Sequence, residues 1–277
     1  MPVSHDCFGV KWIMTVPIIC FDLDGTLVDE HGRIHPADID VLVNTKDALF
    51  IPCTGRPMDS VVAMFHSNGL FQDIPMPFPA VVQNGSAVYG PGGEQLFYKC
   101  FSKDVQHQML EKFDQYPEIS FMLMERNRTL LLHPTEVGIY WMNRFTAGWE
   151  ECDESSRNND FGKATCISDD KEVHAELTNQ LKLMPLEIMV SMSAIYDINP
   201  QGVSKRSGVL SVMEHLGLGD SPVYAAGDGE NDLELFSLAQ ATFSPNTSPE
   251  HIQARSNYVV DMTQNGLLTT MLHAAGI

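Results

Sequence analysis

The run Ile18-Ile19-Cys20-Phe21 leads without a break into Asp22-Leu23-Asp24-Gly25-Thr26. A short, continuous apolar stretch stopped by a glycine turn reads as a strand buried on both faces, the kind that builds parallel sheets. Side chains two residues apart on a strand share a face, so Asp22 and Asp24 lean over the same small volume at the strand's end. Two such charges about 4 Å apart repel by roughly 4 kcal/mol at an effective dielectric of 20. A hard divalent cation with oxygen ligands and retained waters offsets that repulsion, which points to Mg²⁺ and to phosphoryl chemistry.

Two further apolar runs end in polar turns. Residues 48–53 lead into Thr54-Gly55-Arg56, which offers a hydroxyl and turn amides to a phosphate. Pro222-Val223-Tyr224-Ala225-Ala226 leads into Gly227-Asp228-Gly229-Glu230-Asn231-Asp232, supplying further carboxylates and an amide. Between them Lys205 opens a segment whose apolar positions Val209, Leu210, Val212, Met213 and Leu216 mark an amphipathic helix stopped by Gly217. Ligands of open parallel sheets bind beyond the carboxyl ends of the strands, so these pieces are expected in one crevice. A lysine near a helix start is ordinarily a solvated surface residue; only the position of Lys205 after Gly202-Val203-Ser204 and before the strand leading into 227–232, given the need for a fixed cation beside the acids, raises it above that reading. Pro52 has no N–H for a central ladder and is expected at the strand's last residue or at a bulge.

In this order the motifs resemble the haloacid dehalogenase superfamily, and more narrowly its Cof-type branch of sugar-phosphate phosphatases. The resemblance rests on DLDGTL at 22–27, TGR at 54–56, Gln83-Asn84-Gly85, Gly202-Val203-Ser204-Lys205 and GDGEND at 227–232, and it covers nearly the whole chain. Arg206 and Ser244-Pro245-Asn246-Thr247 depart from the family's usual pattern. The resemblance implies an α/β fold, a Rossmann-like open parallel sheet core with an inserted α+β cap. It implies a Mg²⁺-dependent phosphoric monoester hydrolase working through an aspartyl phosphate. Asp22 is then the nucleophile and Asp24 the general acid/base. The carboxylates of Asp22 and Asp228 and the backbone carbonyl of Asp24 hold the metal. Thr54, the Gly55 amide, Lys205 and Asn231 stabilise the phosphoryl oxygens, and Arg56 and Asp232 support them. The related phosphomannomutases share the paired acids, so phosphoryl transfer in place of hydrolysis stays open. A non-catalytic phospho-accepting module is a third reading, but it gives no task to Asp24 or to the long insert.

A chain of 277 residues exceeds the usual single-domain size. Its formal charge of -19 argues against nucleic acid or an anionic membrane, both of which demand a basic surface. A small phosphorylated metabolite remains as partner, attracted by local cations and amides against the overall field. Cys7, Cys20, Cys53, Cys100, Cys152 and Cys166 form no CxxC pair, which fits reduced thiols in a cytoplasm. The ten histidines are read as surface or packing residues, without a zinc site. The apolar segment 12–21 is too short to span a bilayer and is taken as the first core strand, with Met14 as an alternative start.

Motifs are missing between 86 and 195, yet strands are expected at 87–89, 96–98, 120–124, 129–132 and 187–190, with helices near 104–116, 137–145 and 171–182. The acidic stretch 150–160 reads as a solvated loop. An insert of this length with its own elements is a domain. The expected division is a catalytic core over 1–86 and 196–277, and a cap over 87–195 that selects the substrate. Hinges are expected near 84–86 and 196–202. Arg126, Arg128, Trp141 and Trp149 are cap side chains capable of reading a sugar, though such residues more often pack or face solvent.

Overall fold

The computed structural model describes residues 15–192, 194–264 and 266–277; Met14 lies outside them. The chain begins with β1 (Ile18–Phe21), α1 (Pro36–Asn44), β2 (Leu49–Pro52), α2 (Met58–Ser67), β3 (Ala80–Val82), β4 (Ala87–Tyr89) and β5 (Gln95–Tyr98). It continues through α3 (Lys103–Phe113), β6 (Ser120–Met124), β7 (Thr129–Leu132), α4 (Glu136–Phe145), β8 (Glu150–Glu151), β9 (Lys163–Ile167), α5 (Lys171–Leu181), β10 (Leu186–Met192) and β11 (Ile195–Pro200). It closes with α6 (Lys205–Leu216), β12 (Val223–Ala226), α7 (Leu233–Phe236), β13 (Ala241–Pro245), α8 (Glu250–Gln253), β14 (Tyr258–Val260) and α9 (Leu267–Ala275).

The core sheet runs β14-β13-β12-β1-β2 with every pairing parallel. Ile19 and Phe21 pack on one face with Val61 and Phe65 of α2 and Leu268 and Met271 of α9. Ile18 and Cys20 pack on the other with Val209 and Val212 of α6 and Leu235 of α7. Helices on both faces explain why β1 shows no polar alternation. Pro52 is the last residue of β2, as expected. The Cys53 N–H donates to Phe21 of β1, and the next N–H, of Thr54, donates to Val81 of β3. N–H direction alternates along a strand, so the Pro52 nitrogen faces the β3 side, where β2 first meets its neighbour at Cys53–Val81.

A second sheet, ordered β10-β11-β9-β6-β7-β8, forms the insert and is antiparallel except where β7 meets β8. Phe113 of α3 and Leu177 and Leu181 of α5 pack on one face with Phe121 and Leu123. Met142 of α4 packs on the other with Met122 and Met124. Strand pairing moves the junctions away from a cap drawn over 87–195. β4 and β5 pair with β3 in a separate antiparallel sheet, and Ala87 and Val88 bury their side chains in the core clusters. β11 pairs with β9 and β10, so 195–200 belongs to the insert's sheet. A hairpin's membership depends on which edge accepts it, and that choice leaves no local trace. The stretch 150–160 contains the short β8 and a 3₁₀ turn at Ser156–Asn158, so it is not wholly irregular.

Candidate active site

Asp22 follows β1 at the carboxyl end of the core sheet, and Asp228 follows the adjacent β12. Gly25 lies between them with φ +76, and a Cβ there would collide with the Asp228 carboxylate, so the close approach of the two turns requires glycine. The Thr26 hydroxyl donates to Asp228 Oδ1 at 3.0 Å.

Lys205 is the first residue of α6, whose Ser204 and Ser207 cap each other reciprocally. A cation at a helix N-terminus opposes the macrodipole, and two carboxylates outweigh it here. Lys205 Nζ lies 2.8 Å from Asp22 Oδ1 and 2.7 Å from Asp232 Oδ1, with the lysine 1% exposed. Burial works against the ammonium, yet Asp22 and Asp232 hold its pKa well above the ordinary lysine value. Asp232 also accepts the backbone N–H groups of Asp228 and Gly229 at 3.1 Å each through Oδ2. Asp232 therefore closes the 227–232 turn and fixes the lysine.

Asp24 is gripped by Arg56 in a two-pronged ion pair, with Nε and Nη2 each 2.6 Å from a carboxylate oxygen. Arg56 also donates to Ser60 at 2.9 Å and lies over the Phe145 ring of the insert, 5.4 Å from its centroid. The adjoining loop is shaped by the Arg56 N–H, which donates to Thr54 Oγ1 at 3.2 Å, and the Asn84 N–H, which donates to the Thr54 carbonyl at 2.9 Å. Asn231 donates to Asn84 Oδ1 at 3.4 Å.

The acids repel one another as expected. Burial pushes the Asp22 carboxyl well above its usual value; Lys205 opposes this, while Asp232, Asp228 and Asp24 add to it. Burial and then Asp232 push Asp228 up to about 6. Asp22, Asp228 and Asp232 bring carboxylate oxygens within 4.8 Å of one another. With Asp232 engaged by Lys205 and two amides, Asp22 and Asp228 are the pair best disposed towards a cation, and an all-oxygen set of crowded acids fits a hard divalent ion.

A cavity of about 300 Å³ opens above these groups, between core and insert. The sequence-derived residues Asp22, Asp24, Thr54, Gly55, Arg56, Asp228 and Asn231 line it, while Lys205 and Asp232 sit beneath as an anchored pair. Its other wall includes Met122, Met124, Phe145, Lys163, Thr165 and Asp197 from the insert. Arg126, Arg128, Trp141 and Trp149 are not on that wall. Arg126 lies over Tyr98, Arg128 pairs with Glu125 and Glu150, and Trp141 stacks on Phe145. Trp149 packs against the Met142 cluster.

Sequence reasoning overlooked Lys163 and Asp197. Lys163 Nζ lies 2.9 Å from Asp197 Oδ1, and both side chains are nearly fully buried. Asp197 Oδ2 accepts the Asn84 side chain at 2.9 Å. The stretch 84–86, expected as a hinge, is thus tied to the insert by buried hydrogen bonds, including Asn199 to Ser86 at 3.0 Å. The available signal was a single charged residue in each of two strands, Lys163 in β9 and Asp197 in β11.

A doubly wound parallel sheet with clustered carboxylates, a buried lysine and a hydroxyl-bearing turn at its carboxyl edge defines a phosphoryl-transfer hydrolase fold. The haloacid dehalogenase-like hydrolase family matches residues 19–271, and the chain belongs to that family. The resemblance carried by the sequence motifs is borne out at that level. An endoribonuclease of Arabidopsis thaliana chloroplasts is 24% identical over 90% of this chain, which spans 45% of that protein's length. A phosphoglycolate phosphatase from Natronomonas pharaonis is 25% identical, covering 90% of this chain and 92% of the relative. Among solved structures, a subclass IIB sugar phosphatase of the superfamily superposes with a TM-score of 0.77 at 20% identity, over 95% of this chain and 100% of its own.

Proposed function

We propose that the protein is a Mg²⁺-dependent phosphatase of small phosphomonoesters, of sugar-phosphate or phosphoglycolate size, acting through an aspartyl phosphate on Asp22. The observation that carries this reading is the Asp22 carboxylate, anchored by Lys205 at 2.8 Å and lying on the wall of the cavity between core and insert with Thr54, Gly55 and Asn231 around it. The anchor presents the nucleophile in one orientation, and an ammonium holding two acceptors retains a third N–H for a phosphoryl oxygen. Because the Thr54 oxygen already accepts from Arg56, the hydroxyl proton is free to be donated. On this reading Asp24 leaves the Arg56 fork, gives a proton to the leaving oxygen and later takes one from water. Asp22, Asp228 and the Asp24 carbonyl would hold the ion, which would supply charge neutralisation for the phosphoryl group.

The cavity volume admits a leaving group of a few carbon atoms, and its mixed lining of methionine, phenylalanine and hydroxyl groups suits a sugar-like moiety. The unpaired thiols of Cys20, Cys53, Cys100, Cys152 and Cys166 support a reducing, cytoplasmic setting. Among the described residues no helix is long and apolar enough to cross a membrane.

A panel of phosphorylated metabolites assayed with Mg²⁺ for released phosphate tests the reading. Turnover of several small esters is expected, with complete loss in chelator and recovery on adding Mg²⁺. Transfer of phosphate between sugars without release of free phosphate would move the assignment to a mutase.

Metal and pH are linked through Asp228. Its folded pKa of about 6 lies above the carboxylate value of 3.8, so it stabilises the metal-free fold below pH 4 and loses that contribution as pH rises through 6. A cation needs the ionised form and restores what ionisation removes. The rise in melting temperature produced by Mg²⁺ is therefore expected to be small at pH 5 and large at pH 7.5. Equal shifts at both pH values would contradict this site.

A further inference from the structure

We infer that Lys163, on the cap, is a positioning residue for the phosphate-binding loop 54–56, so that the cap completes the phosphate site as well as shaping the leaving-group pocket. The inference rests on the phosphatase reading for its chemistry, but its geometry is independent of it. Lys163 opens β9, and its Nζ donates across the domain junction to the Gly55 carbonyl at 2.9 Å. That carbonyl belongs to the Gly55–Arg56 peptide, whose N–H donates to Thr54 Oγ1 at 3.2 Å. One buried ammonium thus fixes a peptide plane whose far end fixes the threonine hydroxyl. A charge on the carbonyl side also polarises the N–H on the other side, so the two hydrogen bonds reinforce each other.

The arrangement is built in detail. A Cβ on Gly55 would sit 2.9 Å from Lys163 Nζ and 3.1 Å from Asn84 Oδ1, so a side chain there would obstruct the contact. Asp197 aims the lysine and is itself saturated. Its Oδ1 takes Lys163 at 2.9 Å and Thr165 at 2.8 Å, and its Oδ2 takes Asn84 at 2.9 Å and Ser191 at 2.6 Å. Asn84 in turn accepts from Asn231 at 3.4 Å, so one cap carboxylate reaches both phosphate-side elements, the 54–56 loop and Asn231. An ion pair serving only the stability of the cap has no need of a core carbonyl as its third member. A residue serving only leaving-group choice has no need to touch the loop shared by all substrates.

Two readouts test the proposal: binding of inorganic phosphate by calorimetry with Mg²⁺ present, and kcat and KM on several sugar phosphates and one aryl phosphate. Lys163→Ala is expected to weaken phosphate binding and to lower kcat/KM on every ester by a common factor of roughly 10 to 100, the effect of losing one charged hydrogen bond. Added ethylammonium is expected to restore part of the loss in Lys163→Ala and to leave the parent unchanged. Because removing one charge strands Asp197, the double variant Lys163→Met with Asp197→Asn gives the same comparison in a neutral interior. Losses that vary more than tenfold between leaving groups, or phosphate affinity and kcat/KM within threefold of the parent in a folded variant, overturn the proposal. A parent that binds phosphate but hydrolyses no ester sinks the phosphatase reading and leaves the phosphate-binding comparison to decide this one. A parent that neither binds phosphate nor hydrolyses any ester sinks both.

Discussion

Asp22→Asn is expected to abolish phosphate release, by more than about a thousandfold in kcat, while leaving the fold intact. An amide is nearly the same size as the carboxylate but cannot form the aspartyl phosphate. The sign of the stability change is part of the prediction. Burial and three neighbouring carboxylates push the Asp22 carboxyl above its usual value, so the charged form is disfavoured in the metal-free protein. Removing that charge is expected to keep or raise the melting temperature without Mg²⁺ and to shrink the rise produced by Mg²⁺. Mass spectrometry of protein quenched with substrate should find phosphate on the parent and none on the variant. Residual turnover within tenfold of the parent would place the nucleophile elsewhere.

Lys205→Met is expected to damage activity and stability together. The lysine side chain is fully buried between Asp22 and Asp232, and its removal leaves two carboxylates without their counter-ion. Breaking a buried pair in this way typically costs about 3–5 kcal/mol. In a protein of this size that corresponds to a fall in melting temperature of roughly 10 °C. All phosphate esters should lose kcat/KM together, because the lysine anchors the Asp22 carboxylate that the proposed reaction uses on every ester. Asp22→Asn added to Lys205→Met should recover part of the stability and none of the activity. A single variant that melts with the parent, or that changes only substrate preference, contradicts the assigned role.

The core was legible because local rules act there without competition. Strands buried on both faces must be continuously apolar, which exposed β1, β2 and β12, and each had to end where polar turns begin. Acids two residues apart and a glycine turn declare their purpose at short range. Lys205 was singled out by its place after Gly202-Val203-Ser204 and before the strand leading into the acidic turn, where clustered carboxylates demand a cation. The helix that carries it ends as expected at Gly217, which caps it with φ 69.

Other features depended on partners far away in the chain. The fork joining Arg56 to Asp24 spans 32 positions, the contact from Lys163 to Gly55 spans 108, and that from Asn84 to Asp197 spans 113. The hairpin of β4 and β5 has the same strand pattern whether it joins core or cap, and only the free edge at β3 assigns it. The sequence by itself determined which core residues gather at the carboxyl ends of the strands, because periodicity and like-charge crowding are local properties. The tertiary structure decided which cap residues meet them, because a buried charge is tolerated only beside its counter-charge, and that meeting is made by strand pairing and domain packing.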